Sequence, residues 1–538
     1  MRCLFSLSLL VSALPAAAWA QAGETVVVIQ APEKAPPPAP APTASHGADL
    51  TPRPPRGLDW DLTGSLHVAG NRLAHFATDR LNTAHGQRYF WQSRLLAGGR
   101  MQMSTAVRVE VEVEALSGMA GGDPTTLGLA YTERPFSVAR DGTTDLARVV
   151  PRKAVVAYTG SLGQITLGAQ TFSWGTGMLA NDGAGDNPFG DSWLGNAVAR
   201  LSMATKPLAK TAVSPFWQQL AVFGAVDAAI RDDNATLFDG DTALTSLIGL
   251  RGEHQGNALG LLAFYRDQTD RDDPRRPTLA ASTAKIVGID LWGKLRLPLD
   301  GSLALTVEGE LAHLRGATTR PWNDSTWQAG ADVASWGAVG RVRLDCDSCA
   351  LTVQLDTGYA SGDADPRDAT ARSFSMHTDH NVGLVLFDHV LPLLSARSVD
   401  QIADPLLSAV PPPSARFAVQ HGGVQNAVYL FPTLRWRPLL PLQLRLGYLL
   451  ALTAADYFDP YQSALHGGYP TGVGGKAAAS GAYGHEFDAK ITWDLDLPGQ
   501  LVARLGAEAG LVVPGAVLDG LPGLGTPWLA RGLATLRW

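Results

Sequence analysis

Cys346 and Cys349 are the pair of residues whose type and spacing point most directly to chemistry. A C-x-x-C motif can form a local disulfide, a redox centre or half of a zinc site. No second C-x-x-C motif is present, and the third cysteine, Cys3, lies near the N-terminus. No βαβ pattern surrounds the motif, and an exported chain meets an oxidising compartment, so we expect a disulfide that closes a hairpin turn. Metal binding, redox activity and unpaired thiols are the alternatives.

Gly190-Asp191-Ser192 resembles the nucleophile block of GDS-type lipases. A nucleophilic serine needs a base within hydrogen-bond reach that is held in place by a third group. No D-x-x-H block follows the serine, and the twelve histidines form no H-E-x-x-H motif. We therefore predict that the protein is not an enzyme. Ser192 as the nucleophile of an embedded esterase is the alternative.

Three predicted loops carry groups of acidic and amide side chains. Calcium takes six to eight oxygen ligands, but the sequence contains no EF-hand spacing. We therefore expect solvated loops and no cofactor, with calcium bound in the loops as the alternative. The candidate ligands are Asn181, Asp182, Asp186 and Asp191 in the first loop, Asp232, Asp233, Asp239 and Asp241 in the second, and Asp363, Asp365 and Asp368 in the third.

The composition of the 538 residues excludes several classes of protein. A net charge of −7 lacks the basic footprint of a nucleic-acid binder. A mean hydropathy of +0.02, with no long uncharged apolar run after the N-terminus, argues against a helical membrane protein. Charged residues make up 17% of the chain, below the roughly 25% of soluble proteins. A secreted soluble protein and an outer-membrane barrel remain.

The N-terminal region has the features of an exported protein. Residues 1–20 are predicted to be a signal peptide, with Arg2, an apolar run and the cleavage site Ala18-Trp19-Ala20. Residues 21–57 are rich in proline and alanine and predict an extended linker in the periplasm. Residues 58–538 then form the main domain.

Within the linker, residues 24–30 (E-T-V-V-V-I-Q) resemble the TonB box of energy-coupled outer-membrane receptors. In such receptors this segment adds as a strand to a periplasmic energy transducer. The resemblance implies such a transducer as a partner, although no plug domain of the receptor type follows. A β-prone tether is the alternative.

The main domain is dominated by a period of two. Residues 107–114 alternate strictly between valine and a charged residue, and similar alternation recurs through the chain. Such alternation places one set of side chains on each face of a strand. In a soluble sandwich the apolar set would face a core, whereas in a porin-type barrel it faces lipid and the polar set lines a lumen.

Connection lengths distinguish these two folds. Eighteen candidate strands are joined by alternating short turns, such as 160–163 and 298–301, and long loops, such as 118–151, 361–423 and 454–482. Outer-membrane barrels sort their loops in this way, with short turns in the periplasm. We therefore predict an all-β fold, a closed antiparallel transmembrane β-barrel of eighteen strands with long extracellular loops and short periplasmic turns.

Aromatic residues near the predicted strand ends agree with this fold, because tryptophan and tyrosine form girdles at both membrane interfaces. The chain also ends in an aromatic residue, as outer-membrane barrels usually do. The residues predicted for the girdles are Trp60, Trp91, Trp292, Trp436, Tyr448, Trp493, Trp528 and Trp538.

The polar face of the predicted strands gives candidate residues for the lumen. Lysine and arginine on lipid-facing positions would each cost about 2–4 kcal/mol at the midplane, so a water-filled interior is favoured. These charges either select solutes or only pair across the wall, and their mixed signs leave the charge preference open. The pore-lining candidates are Arg108, Glu110, Glu112, Glu114, Lys294, Arg296, Glu308, Glu310, Arg341, Arg343, Asp356, Arg435, Arg445, Glu486, Asp488, Lys490, Arg504, Glu508, Arg531 and Arg537.

Two segments resemble the alginate-export family of outer-membrane barrels, and a third resembles a porin strand. Residues 358–363 (G-Y-A-S-G-D) are similar to the point where a strand of that family enters a long extracellular loop, and residues 380–384 to the point where it returns. Residues 167–172 resemble a porin strand. The resemblance implies an 18-stranded barrel that passes polyanionic sugar chains. The mixed lumen charges and the Pro-rich linker depart from that family.

The sequence thus predicts a Gram-negative outer-membrane channel that passes polar solutes, anionic ones or polysaccharides among them, with loop 361–423 as a lid. Expected partners are outer-membrane lipid, the solute, and a periplasmic energy transducer or export partner, but no nucleic acid. The alternatives are an energy-coupled receptor that uses residues 24–30, and a surface-binding or adhesion barrel with a closed pore.

Overall fold

The computed structural model describes the chain from residue 59 to residue 538. Residues 124, 126, 128–148, 186, 193–194, 271–281, 320–329, 367, 405, 408–419 and 421 are excepted. The predicted signal peptide, the Pro/Ala-rich linker and the TonB-box-like segment therefore lie outside the described residues. Across the described ranges, no helix is both long and apolar enough to cross a membrane.

The described residues form one sheet of nineteen strands. The strands are β1 Asp59–Leu73, β2 Tyr89–Gln102, β3 Val107–Gly122, β4 Val150–Gly160, β5 Gly163–Thr171, β6 Ala197–Thr205, β7 Ala221–Arg231, β8 Thr242–His254, β9 Asn257–Asp270, β10 Ser282–Asp300, β11 Leu303–Thr318, β12 Ala331–Cys346, β13 Leu351–Ala360, β14 Thr370–Ala371, β15 Ala427–Leu439, β16 Leu442–Thr453, β17 Ala482–Leu497, β18 Leu501–Pro514 and β19 Trp528–Arg537.

Eighteen of these strands close into an antiparallel barrel. Each strand pairs with its neighbour in the chain, and β1 also pairs with β19 from Ser65↔Arg537 to Leu73↔Leu529. β13 pairs directly with β15, whereas the short β14 pairs in parallel with β12. β14 is therefore an additional strand beside the ring, and the predicted number of eighteen barrel strands is confirmed.

The two faces of the wall differ as the alternation predicts. On β3, Val111 points outward and is 47% exposed, whereas Glu114 points inward and is 1% exposed. The outward face of the other strands carries mainly leucine, valine and isoleucine. An apolar exterior around a polar interior is the pattern of a barrel that spans a membrane.

The connections sort by length between the two ends of the barrel. At one end, the short-turn end, two or three residues join most strand pairs, for example 161–162 and 498–500. The loop 206–220 is the exception there, because it is longer and contains the helix α1 (Pro215–Gln218). β1 begins and β19 ends at this same end. The opposite end, the long-loop end, carries the longer connections.

Most of the predicted girdle residues lie on the outer face, but Trp292 does not. Trp60 and Trp91 are 61% and 57% exposed, whereas Trp292 is 4% exposed and donates a hydrogen bond to Glu308 inside the barrel. Its assignment to a girdle was wrong. The reason is its position on β10, where it shares the inward face with Asp290 rather than the outward face with Leu291.

Gly358, the first residue of the G-Y-A-S-G-D segment, lies opposite Tyr429 on the inner face. A Cβ atom at Gly358 would lie 2.2 Å from Cε1 of the Tyr429 ring. We therefore expect Gly358→Ala to lower the free energy of unfolding by about 1–3 kcal/mol, because the ring must leave its packed position. Urea unfolding followed by tryptophan fluorescence measures this change. Gly532→Ala is the control, because nothing lies within 4 Å of its Cβ position, and an equal loss there would contradict the explanation.

The apolar core lies inside the barrel rather than within its wall. It is formed mainly by the connection between β13 and β15, which contains a π-helical turn (Leu386–Val390) and the helix α2 (Leu391–Ala403). A third helix, α3 (Pro460–Leu465), packs against α2. Short 3-10 turns lie at Leu237–Asp239 and Ala516–Leu518.

Candidate functional site: a charged lumen narrowed by two inner loops

Two loops from the long-loop end enter the barrel. The first inner loop, residues 172–196, joins β5 to β6, and the second inner loop, residues 361–426, joins β13 to β15. Trp174 of the first loop donates from Nε1 to Asp290 Oδ1 at 2.9 Å. Because Asp290 lies on the inner face of β10, this contact places the loop within the lumen.

Glu114 organises the wall around the first inner loop. Its carboxylate is 1% exposed. It forms ion pairs with three arginines, at 3.0 Å to Arg94, 3.2 Å to Arg152 and 2.9 Å to Arg231. Glu112 also pairs with Arg152 at 3.0 Å. The acidic strand β3 is therefore neutralised by arginines of β2, β4 and β7.

Two of these arginines also hold the first inner loop. Arg94 Nη1 donates to the backbone oxygen of Ser192 at 2.7 Å and of Gly183 at 3.3 Å. Arg152 donates to the backbone oxygen of Asp182. The same guanidinium groups therefore satisfy a buried carboxylate and fix the loop to the wall.

A second set of charges runs across β11, β12 and β13. Glu308 and Arg341 are 3.3 Å apart, and Arg341 Nε donates to Asp356 at 2.5 Å. On the same face, Glu310 accepts hydrogen bonds from the backbone amide and the hydroxyl of Thr176, the latter at 2.6 Å. This part of the wall thus holds the start of the first inner loop.

A third set forms one cross-strand row from β15 to β19. The row runs Arg435, Arg445, Lys490, Glu508 and Arg531 by direct strand pairing. Glu508 is paired with both Lys490, at 3.2 Å, and Arg531. Arg445 donates instead to backbone oxygens at 2.7 and 2.9 Å in the first inner loop. Four cations and one carboxylate make this row basic.

The strand register places the remaining candidates on the inner face as well. Most lie near the short-turn end, where Arg504 pairs with Asp494 at 2.6 Å and Arg343 with Asp345 at 2.9 Å. Glu486 and Asp488 lie instead beside the second inner loop. Strand pairing also assigns four further candidates to the inner face, and these are Arg108, Lys294, Arg296 and Arg537. Glu110 pairs with Lys153 at 3.0 Å.

The two inner loops meet at Asp379. Its backbone oxygen accepts hydrogen bonds from Asn181 at 3.3 Å and Asn187 at 3.2 Å, and its carboxylate accepts one from the Gly195 amide at 2.6 Å. Asn381 donates back to the Asp191 carbonyl at 3.0 Å. These polar contacts join the loops into one body inside the barrel.

Apolar contacts hold the same body against the wall. Phe189 lies against Phe431 of β15 with ring centroids 6.1 Å apart, and Phe387 meets Tyr483 of β17 edge-on at 6.5 Å. All four rings are buried. Residues from both inner loops thus fill much of this side of the lumen.

A cavity of about 600 Å³ remains between the second inner loop and the wall of β6 to β12, towards the long-loop end. Its apolar lining includes Phe172, Phe264 and Phe374, and Arg266 crosses it to pair with Asp232 at 2.7 Å. Aspartates outnumber the arginines of its lining. They are Asp227, Asp232, Asp233, Asp241, Asp270 and Asp363.

Charges in the inner loops are shifted by burial and by their partners. Burial acts to raise the pKa of Asp191, but Arg531 at 2.9 Å and His67 at 3.0 Å hold it below its usual value. Burial raises the pKa of Asp233. Burial also lowers the pKa of His380 to about 4, so this histidine is neutral at pH 7.

Several loop residues considered as calcium ligands form ion pairs with arginines of the same chain. Asp232 pairs with Arg266, Asp191 with Arg531, and Asp368 with Arg372 at 2.7 Å. Asp186 lies outside the described residues. In the part of the chain that the structure describes, no group of three or more acidic, histidine or cysteine residues is arranged to hold a metal ion.

Among the described residues, the side-chain partner of the Ser192 hydroxyl is an amide and not a histidine. Its hydroxyl accepts a hydrogen bond from Asn187 Nδ2 at 3.0 Å, and its backbone oxygen binds Arg94. The neighbouring Asp191 binds His67 and Arg531. This segment therefore serves as a wall contact of the first inner loop.

Cys346 and Cys349 form a disulfide across the turn between β12 and β13, with Cα atoms 5.5 Å apart. The closed loop is very short, so little chain entropy is removed from the unfolded state. We expect the Cys346→Ser, Cys349→Ser double variant to lose about 2 kcal/mol or less of unfolding free energy. Urea unfolding with and without reductant measures this, and a much larger loss would mean that the turn has a further role.

Sequence reasoning missed the residues that hold the first inner loop. Trp174, Asp290 and Asn187 carry contacts across the lumen, but none of them lies in a recognisable motif. The available signal was the alternation of side chains along β10. Asp290 lies an even number of residues from the pore-lining candidate Lys294 and therefore shares its inward face. Extending the alternation of that strand would have found it.

Comparison with known proteins gives structural similarity only. No family model matches the chain, and no curated protein matches it. The alginate-export resemblance is therefore unsupported by the family comparison. The fold is a closed antiparallel β-barrel. The solved structures similar to it include OccK2 (OpdF) of Pseudomonas aeruginosa, with 8% identity, 89% of this chain and 97% of that chain covered and a TM-score of 0.45.

Two further solved structures show similar values. The BenF-like porin from Pseudomonas fluorescens Pf-5 has 10% identity and a TM-score of 0.48, with 89% of this chain and 98% of that chain covered. OprD of Pseudomonas aeruginosa has 11% identity and a TM-score of 0.44, with 90% and 95% covered. The fold of this chain is assigned on its own strand pairing, which closes the barrel.

Proposed function

We propose that the protein is an outer-membrane channel for polar solutes. The observation that carries this proposal is the closed eighteen-stranded barrel, apolar outside and lined by charges inside. Barrels of 16–18 strands are wide enough for an aqueous channel. Inward-facing cations nearer the short-turn end, such as Arg296 and Arg343, keep part of their surface exposed, which supports a water-filled passage there.

The orientation follows from the same proposal. Outer-membrane barrels place short turns in the periplasm and long loops outside. The short-turn end of this barrel carries both termini of the described chain. We therefore place the linker 21–57 in the periplasm, and both inner loops enter from the extracellular side.

The second inner loop is the proposed lid. It is joined to the wall by Glu486, which accepts three of its backbone amides, and to the loop between β1 and β2 by Arg397, which donates to Asp79 at 2.7 Å. It also contacts the first inner loop through Asp379 and the wall through His380 and Phe387, and its apolar centre is buried. Breaking the hydrogen bonds of Glu486 or Arg397 therefore weakens the docked state of the loop without removing its other contacts.

The solute must pass regions of opposite charge. The cavity near the long-loop end is lined by more aspartates than arginines, whereas Arg343, Arg435, Arg445 and Lys490 lie nearer the opposite end, with Asp345 and Glu508 paired to Arg343 and Lys490. The basic end supports passage of an anionic solute or an acidic polysaccharide, and the acidic cavity opposes it. We propose that the two ends together give a channel for small polar solutes with weak charge selectivity.

Single-channel recording of the refolded full-length protein in a planar bilayer tests this function. We expect discrete conductance steps and, in a salt gradient, a reversal potential near zero. A strongly anion-selective pore would support the polyanion alternative instead. Folded protein, shown by β-sheet circular dichroism, that gives no steps with or without the second inner loop would refute the channel.

The filled lumen favours one other function, a surface-binding barrel with a closed pore. The same recording separates the two, because such a barrel stays silent after removal of the lid. The energy-coupled receptor depends on residues 24–30, which lie outside the described residues. Binding of the transducer's periplasmic domain that is unaffected by deleting 24–30 would refute it.

A further inference from the structure

Glu486 of β17 is the point where the second inner loop is fixed to the barrel wall. Its side chain is fully buried and accepts the backbone amides of three consecutive residues, Leu384 at 2.5 Å, Val385 at 2.6 Å and Leu386 at 2.8 Å. Such a set of amides favours an ionised carboxylate. The bonds lie just before the π-helical turn, so they hold the part of the loop that enters the lumen.

Asp488 lies two residues further along β17, on the same inner face, and is 4% exposed. Its oxygens accept no hydrogen bond from any N–H or O–H donor among the described residues. Its side-chain hydrogen-bond partner is the carboxyl group of Glu486. Ionised carboxylates only accept hydrogen bonds, so this pair needs one shared proton.

The surroundings of Asp488 make an ionised state costly while the loop is docked. Gly510 lies opposite it on β18, and a Cβ there would lie 2.5 Å from Asp488 Oδ1 and 2.8 Å from Val385 Cγ2. The absence of a side chain at Gly510 lets the loop close over the carboxyl group. An unpaired carboxylate in such apolar surroundings is strongly disfavoured and takes up a proton.

Asp388 of the loop adds a third carboxyl group. It is partly exposed, its Oδ1 atom is buried without a hydrogen-bond partner, and Oδ2 lies 3.4 Å from the Cβ position of Gly190. Burial, followed by the nearby Glu486, raises the pKa of Asp388 well above its usual value. Asp388 therefore adds to the repulsion among the carboxyl groups while the loop is docked.

None of the other charged groups described around this cluster neutralises its carboxyl groups in full. Glu508 is held by Lys490 and Arg531, and Arg531 also binds Asp191 of the first inner loop. Asp379 adds a further negative charge near Asp388. Burial lowers the pKa of His389 to about 3, so this histidine is neutral above pH 5. Net repulsion among the carboxyl groups therefore remains.

We propose that Glu486, Asp488 and Asp388 form a proton-operated latch, in which a proton held between Asp488 and Glu486 keeps the second inner loop docked and its loss releases the loop. This inference rests on the proposed channel function and assigns its regulation. No covalent step is involved. The proton goes to water when the loop leaves the wall.

The direction of the pH effect follows from proton counting. The docked loop holds at least one proton more than the released loop, in which water-exposed carboxyl groups ionise near their ordinary pKa of about 4. Docking of the loop is therefore strongest at low pH. It weakens as the pH rises through the pKa that the carboxyl pair has while the loop is docked. For one coupled proton, the ratio of open to closed channels rises up to about tenfold per pH unit.

The experiment records single channels of the full-length protein between pH 5 and pH 8. The wild type should show the rising open-to-closed ratio. Asp488→Asn should flatten this dependence to within about twofold, because its amide donates to Glu486 at every pH and replaces the shared proton. Asp494→Asn is the matched control, since Asp494 lies on the same strand but pairs with Arg504, and it should keep the wild-type dependence.

The outcomes separate the latch from the channel. A wild type whose ratio of open to closed channels is constant across this range overturns the latch and leaves the channel function standing. The same conclusion follows if the wild type stays closed at every pH while the variant without the second inner loop conducts. Silence of both overturns the channel.

Amide hydrogen exchange provides a second measurement that does not depend on the variant folding. In the wild type, protection of the Leu384, Val385 and Leu386 amides, corrected for intrinsic exchange, should fall by up to about tenfold per pH unit. Protection that stays constant between pH 5 and pH 8 overturns the latch.

Discussion

Replacing Glu114 by glutamine is expected to lower the free energy of unfolding of the barrel by about 3–5 kcal/mol, the cost of leaving a buried charge without its partner. Glu114 is shared by Arg94, Arg152 and Arg231, all of which are buried. Glutamine keeps the shape of the side chain but removes its negative charge. Three guanidinium groups would then repel one another, while Arg152 keeps its ion pair with Glu112.

The same substitution should loosen the first inner loop. Arg94 and Arg152 donate to backbone oxygens of Gly183, Ser192 and Asp182 while Glu114 holds their side chains in place. Without Glu114, the two arginines repel each other and turn towards water, so amide exchange in residues 181–196 should increase. The substitution is thus expected to destabilise the first inner loop as well as the barrel wall.

Glu253→Gln is the matched control for Glu114→Gln. Glu253 also pairs with an arginine, Arg251 at 3.2 Å, but its side chain is 42% exposed. Exposed ion pairs contribute about 0–1 kcal/mol, so this variant should unfold nearly as the wild type does. Urea unfolding of both variants in the same detergent provides the measurement. Equal losses of unfolding free energy in the two variants would contradict the prediction that burial determines the contribution of an ion pair in the lumen.

The barrel could be predicted from the sequence because its evidence is local. The alternation of residues 107–114 and the short turns need only neighbouring residues to be recognised. Strand ends were less well placed: β3 runs to Gly122 and β10 to Asp300. Backbone pairing with a neighbouring strand extends these strands beyond the point where the alternation stops. The residues of one strand do not show how far its neighbour reaches, so this extension is not visible in the sequence.

The inner loops could not be predicted from the sequence, although 361–423 was identified as a candidate lid. Their apolar residues, such as Leu384 and Leu386, show no alternation, and what buries them is the far wall of the barrel. Trp174 and Trp292 illustrate the same limit. Both resemble interfacial aromatic residues in sequence, yet both lie inside and donate to carboxylates.

The lumen charges have two roles that the sequence left open as alternatives. Most pair across the wall, as Arg341 does with Asp356 and Arg531 with Glu508. Others bind backbone groups of the inner loops, as Arg445 and Glu486 do. Pairing and loop fixation together use most of the charge, which is the physical reason to expect weak selectivity from a lumen with so many charged residues.

Removing the second inner loop is expected to raise the single-channel conductance about threefold or more, because an eighteen-stranded barrel without inserted segments leaves an aqueous channel. Ser375 and Gln425 are bridge partners, so a short Gly-Ser linker can join them and replace residues 376–424. β13 and β15 remain paired with each other in this variant. Planar-bilayer recording of both proteins gives the conductance ratio.

The size of this increase depends on what the deletion removes from the lumen. It removes the π-helical turn, α2 and the partners of Glu486, but leaves the first inner loop attached through Arg94 and Arg152. Replacing the exposed residues 209–213 at the short-turn end by the same linker is the control and should leave the conductance unchanged. An unchanged conductance in the deletion variant would mean that the first inner loop alone closes the passage. In that case Asn187, Phe189 and Arg445 would mark the constriction.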